Sequence, residues 1–151
     1  MTLPPTFFAC GGGIYTSAAE AAKKVGGKVI GVDTDQSPVI DAAYGEGMTI
    51  TSAMKGLAPT TIDTLTDVVI NGKWADYAGK IVSLGLVSAD PEANYVQIPM
   101  DTTLFEDGKF TAEDYKAMVA AMFEGTLTVS ADIAAEPAVT NTNVEWLGNL
   151  K

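Results

Sequence analysis

The chain has 151 residues, 47% of them apolar and 19% charged, enough to bury one core and too few for two, and unlike the composition of a disordered chain. Nine basic against nineteen acidic residues leave a net charge of −10, which argues against nucleic acid or an anionic membrane surface as partner. Histidine is absent and cysteine occurs once, so Ser–His and Cys–His catalysis, a disulfide framework and a zinc site all fall away.

A short apolar strand is expected over residues 6–10. Phe8-Ala9-Cys10-Gly11 superficially matches a lipoprotein cleavage box. No basic segment precedes it, Pro4 and Pro5 interrupt it, and the apolar run falls short of the roughly 7–15 residues of a signal h-region. Cys10 is therefore read as a strand residue. Met1 lies so close to this strand that the chain is expected to begin at a fragment boundary. No segment reaches the roughly 18 apolar residues of a membrane-spanning helix.

A helix follows from about Ile14 to Val25, with Ile14, Ala18, Ala21, Ala22 and Val25 on one stripe and Gly26-Gly27 as its stop. Lys28 to Val32 reads as a second strand, which completes a β-α-β unit with a right-handed crossover. Thr34 to Pro38 reads as a polar turn, continued by a loop through Asp41, Tyr44, Gly45 and Gly47. Met48 to Met54 alternates like a strand and delivers Lys55 at its end. Pro59 fits the first turn of a helix carrying Ile62, Leu65, Val68 and Val69, which stops at Asn71-Gly72.

Ile81 to Val87 reads as a strand interrupted by Gly85, and a turn at Asp90-Pro91 leads to Tyr95–Pro99 as its hairpin partner. Thr111 with Asp114 opens a helix whose apolar face is Tyr115, Met118, Val119, Met122 and Phe123, closed by Gly125. From Ala131 the pattern fades, and residues 137–151 read as a tail from which Val144, Trp146 and Leu147 dock.

The chemistry concentrates at three places. Gly11-Gly12-Gly13 joins the first strand to the first helix, where glycines let backbone approach a ligand and the helix points free N–H groups into the same space. No Gly-Lys-[Ser/Thr] triplet follows, so P-loop chemistry is excluded. A G-x-G-x-x-G dinucleotide fingerprint fits except at its last position, which is Thr16; a plain tight turn fits equally well. Twenty residues after Gly13, the second strand ends in Asp33, on the edge where open α/β sheets bind ligands. A carboxylate there accepts from both hydroxyls of a vicinal diol. Asp35 is the better candidate to cap the next turn, and a paired-carboxylate hydrolase lacks an activated nucleophile. Lys55 is placed to contact a polar ligand atom, to pair with Asp33, or to face solvent. Trp74, Tyr77 and Trp146 read as packing residues.

Together, Ala9-Cys10-Gly11-Gly12-Gly13, then Val29-Ile30-Gly31-Val32-Asp33-Thr34-Asp35-Gln36, then Thr51-Ser52-Ala53-Met54-Lys55 resemble the basic membrane protein family. These are substrate-binding lipoproteins of ABC transporters and include purine nucleoside receptors. Phe110 to Lys116 and the segment Gly125 to Ser130 resemble the C-terminal portion of the same family. The resemblance implies an α/β fold, the Rossmann-like lobe of a type I periplasmic binding protein, a three-layer α/β/α unit with a mostly parallel sheet. That lobe would span residues 1–133, partial at its start, with a tail over 134–151.

It also implies a non-enzymatic solute receptor, extracytoplasmic and lipid-anchored in its full-length form, that hands a nucleoside-like or sugar-like ligand to an ABC permease. Asp33 would bind ribose hydroxyls, Lys55 would contact the ligand, and Gly11 and Gly12 would line the pocket. The family turn reads Ala-Gly-Gly-Thr-Gly where this chain has Cys-Gly-Gly-Gly-Ile. The lobe forming the other cleft wall has no counterpart in this sequence, so the Pro59–Val69 helix is expected to expose its apolar face and to form a homodimer. No cofactor or metal is implied. The alternative is a Rossmann-type domain of an enzyme, holding an NAD-like cofactor on Gly11 to Gly13 and Asp33.

Overall fold

The computed structural model describes residues 4–132, 134–135, 138–140, 143–145 and 147. Strand β1 (Thr6–Phe8) pairs in parallel with β2 (Lys28–Asp33), and β2 pairs in parallel with β3 (Thr49–Lys55). Strand β4 (Val96–Gln97) lies antiparallel on the end of β3, giving the sheet order β1-β2-β3-β4. Parallel neighbours need crossover connections. Here α1 (Tyr15–Val25) links β1 to β2, and α2 (Ser37–Tyr44) links β2 to β3. The chain therefore has the α/β class expected, a mostly parallel sheet flanked by helices, consistent with a Rossmann-like three-layer α/β/α arrangement.

The core lies where α1 and α2 meet the sheet. Ala19 and Ala22 are small enough to bring α1 close to β2, and Val29, Ile40 and Met48 complete the buried set against Phe7, Tyr15 and Tyr44. Gly26 ends α1 in the left-handed region, at φ 65, while its N–H still donates to the Ala22 carbonyl. Side chains alternate along a strand, so Phe8 stands on the face opposite Phe7. That second face carries the groove described below.

The segment read as a polar turn and loop is a helix. The Asp35 carboxylate accepts from the Ser37 N–H at 3.0 Å and the Ser37 hydroxyl at 2.8 Å, which caps α2 from just outside its first turn. Pro38 sits in that turn, where its fixed φ is tolerated, and Ile40 is driven into the core. Beyond α2, both Asp41 oxygens accept from the backbone N–H groups of Gly47 and Thr49, which fixes the entry to β3.

Helix α3 (Leu57–Leu65) continues through a π turn, Thr66–Ile70, to Asn71, near the stop expected. Its apolar side chains Leu57, Ile62, Leu65, Val69 and Ile70 are all exposed. Asp67 in the π turn gathers the Asn71 amide, the Lys73 ammonium and the Tyr77 hydroxyl, each within 3.0 Å. Those three donors, the Asn71 amide first, hold its carboxyl down to about 2. Trp74 and Tyr77 bound a short helix, α4 (Trp74–Tyr77), but Trp74 is exposed rather than packed.

The strand expected over Ile81–Val87 is not formed, and neither is its hairpin. The place beside β3 belongs to Val96 and Gln97, and the Tyr95 N–H to Gly85 carbonyl bond joins the two segments without extending into a ladder. Asn94, fully buried, holds the returning chain instead. Its Oδ1 accepts from the N–H groups of Val87 and Ser88, and its Nδ2 donates to the carbonyls of Ser88 and Asp90. A side chain thus supplies the partners a ladder would have offered, and Ile81 is left 100% exposed.

Helix α5 (Ala112–Phe123) starts with a complete capping box between Thr111 and Asp114, as the sequence indicates. It buries Val119 and sets the Tyr115 ring 6.4 Å from that of Phe105. In the tail, Val144 and Leu147 are exposed and do not dock; Trp146 lies outside the described residues. Among the described residues, no helix is long and apolar enough to cross a membrane.

Candidate functional site

The C-terminal ends of β1, β2 and β3 and the glycine turn enclose an open groove of about 480 Å³. Phe8, Val32 and Ala53 supply apolar contact, Gly11 and Gly12 supply backbone, and Asp33 and Lys55 supply charge. The four residues singled out from sequence, Gly11, Gly12, Asp33 and Lys55, therefore line one site. Cys10 lines it as well, with an exposed thiol that donates weakly to the Phe8 carbonyl at 3.9 Å.

Asp33 and Lys55 are the last residues of neighbouring parallel strands, which brings them together. Lys55 Nζ stands 2.7 Å from Asp33 Oδ1. The two side chains are 66% and 37% exposed, so the pair is worth less than about 1 kcal/mol and serves to orient the carboxylate more than to stabilise the fold. Asp33 has φ 71, and it alone among the described non-glycine residues has a positive φ. A side chain in that region costs roughly 1–2 kcal/mol, less for Asp, and such strain concentrates at binding sites. Its second oxygen, Oδ2, makes no hydrogen bond among the described residues. A Cβ placed on Gly12 would lie 3.5 Å from this oxygen, so glycine keeps the approach to it open.

Residues Gly12–Ile14 form one 3-10 turn that runs directly into α1. Thr16 occupies the place of a third fingerprint glycine, and its hydroxyl donates back to the Gly13 carbonyl at 3.2 Å. The turn is fixed from below by Gln36, whose role was not read from sequence. Its Nε2 donates to the Gly12 carbonyl at 3.0 Å, its Oε1 accepts from the Val32 N–H at 2.9 Å, and its backbone N–H donates to Ser52 Oγ at 3.1 Å. The buried side chain thereby ties the glycine turn to β2, and the backbone N–H of the same residue ties it to β3. Gly31 makes room for it: a Cβ there would fall 2.6 Å from Ser52 Oγ and 2.9 Å from Gln36 Oε1. A glycine inside an apolar strand was the available signal, since it marks a close approach.

Asp35 stands apart from the site. Beyond Ser37, its other oxygen accepts from the Thr102 hydroxyl at 2.8 Å, so the pair of carboxylates that a hydrolase would need is not assembled. Among the described residues, no group of three or more His, Cys, Asp or Glu side chains is placed to hold a metal ion. The groove offers one spare carboxylate oxygen, one ammonium, backbone at a glycine turn and an apolar floor. That set suits a ligand with adjacent hydroxyls on a flat, partly apolar body. No family model matches the chain, and no curated protein matches it in sequence.

Proposed function

We propose that this chain is one lobe of a solute receptor of the basic membrane protein type, binding a nucleoside-like ligand with no chemistry of its own. The observation that carries this reading is the spare Asp33 Oδ2 facing the glycine turn, beside an ammonium and above apolar Phe8, Val32 and Ala53. A ribose fits that oxygen through its two hydroxyls, and Lys55 can leave Asp33 Oδ1 to meet a ring nitrogen or carbonyl. In such receptors a second lobe supplies the opposite wall and the cleft closes between them. An ABC permease would receive the ligand from a receptor held outside the cytoplasm by a lipid anchor. The exposed apolar face of α3 supports homodimerisation of this chain.

Titration of the labelled chain with inosine and with NAD, followed by amide chemical shifts, tests this. Inosine is expected to move Gly11, Gly12, Asp33 and Lys55 saturably in the millimolar range, as befits half a cleft, and Asp33→Asn is expected to abolish the response. Shifts with NAD and none with inosine would overturn the receptor reading in favour of a Rossmann-type cofactor domain.

A further inference from the structure

A second cavity, of about 280 Å³, lies between α3 and the segment from Tyr77 to Tyr95, and it shares no lining residue with the groove. Val82 and Leu84 give it an apolar side. The phenol groups of its two tyrosines are already engaged: Tyr95 donates to Asp63 Oδ2 at 2.5 Å, and Tyr77 donates to Asp67 Oδ2 at 2.9 Å. What stays unspent around the cavity is the other Asp63 oxygen, the Lys80 ammonium and the hydroxyls of Thr60 and Thr64. None of these four makes a hydrogen bond or ion pair among the described residues.

The cavity lies just under the roughly 300–1,000 Å³ range of ligand pockets, a size that suits a small metabolite better than a nucleotide. A single anion and a single cation share its wall. A lone amine would leave Lys80 as an uncompensated like charge, and a lone carboxylate would do the same with Asp63. A ligand carrying both charges avoids each penalty. We propose that this cavity binds a free α-amino acid with an apolar side chain. Its ammonium meets Asp63, its carboxylate meets Lys80 and the threonine hydroxyls, and its side chain lies against Val82 and Leu84.

The test is an amide-shift titration with L-leucine, run beside isoamylamine and 4-methylpentanoate, which are leucine without its carboxylate and without its ammonium. Leucine is expected to shift Thr60, Thr64 and Tyr95 saturably and to leave Asp33 and Lys55 unmoved. Each half-ligand is expected to bind at least about fivefold more weakly, the scale of one solvent-screened ion pair. Lys80→Gln and Asp63→Asn should each weaken leucine by about fivefold; both positions are exposed, and asparagine keeps an acceptor for Tyr95. Three results would overturn the proposal: no saturable shift up to roughly 50 mM leucine, isoamylamine binding as tightly as leucine, or unchanged affinity in both variants. The groove and the cavity respond on different residues, so failure here leaves the receptor reading untouched.

Discussion

Gln36→Leu removes the side chain that ties the glycine turn to β2 while keeping a similar bulk, so the loss is polar and leaves little cavity. Two hydrogen bonds disappear, and their consequences differ. The Gly12 carbonyl belongs to an exposed residue, so water replaces its lost donor at a cost of about 0.5 kcal/mol. The Val32 N–H belongs to a residue only 8% exposed, in mid-sheet, and stays orphaned at a cost of about 1–3 kcal/mol. The sum is about 2 kcal/mol. With a urea slope of roughly 2 kcal/mol per molar, the unfolding midpoint should fall by about 1 M. Amide exchange at Val32 should quicken by more than at Val29, whose N–H keeps its bond to the Met48 carbonyl. Gly31→Ala crowds the same Gln36 oxygen and should cost about 1–3 kcal/mol alone. Combined with Gln36→Leu it should show a coupling above about 0.5 kcal/mol, because the two positions touch. A midpoint within about 0.2 M of the parent for Gln36→Leu, or unchanged Val32 exchange, would refute the idea that Gln36 holds the turn.

Position 33 should rank by backbone tolerance: Asp33→Ala is expected to be about 1 kcal/mol less stable than Asp33→Asn in urea, because asparagine accepts φ 71 and alanine does not. The Thr49 hydroxyl is buried with no partner among the described residues, so Thr49→Val should gain about 1 kcal/mol and raise the thermal midpoint by roughly 2–4 °C; a fall would show that the hydroxyl is satisfied. Asp67, lowered from 3.8 to about 2, contributes stability that is complete above its unfolded value and lost as the pH falls through its folded one. Amides of residues 66–77 should therefore lose protection between pH 4 and 2, and Asp67→Asn should flatten that response. Sedimentation should show a dimer that Ile62→Lys or Ile70→Lys converts to monomer, and a monomeric parent chain would remove the case for α3 as an interface.

The β1-α1-β2 unit was legible because most of what defines it is local: an apolar run, a glycine turn and a glycine stop; the stripe was misplaced, since α1 buries Ala19 and Ala22 and leaves Ile14 and Val25 exposed. Thr111 and Asp114 announced α5 for the same reason. α2 was hidden because only Ile40 of its short span is fully buried among large apolar side chains, while Pro38 and the glycines at 45 and 47 resemble a loop. Its start depends on Asp35, which the sequence did mark as the cap of the next turn, although the helix that the cap opens was not read. Residues 81–87 have the composition of a strand, yet the edge of β3 is occupied by Val96 and Gln97, and a buried Asn94 holds the chain through polar contacts that no periodicity encodes. At the site, spacing located Asp33, Lys55 and the glycines. Their support by Gln36 and Ser52 left only Gly31 as a local sign, because it joins residues 12, 32, 36 and 52 from separate segments of the chain.

The solitary thiol of Cys10 makes the groove a self-reporting one. With one thiol per molecule, a maleimide dye attaches at a single defined wall position, with no background labelling to subtract. Its fluorescence would register occupancy of the space in front of Gly12 and Asp33 directly. Protection of the same thiol from alkylation would rank ligands without any label at all.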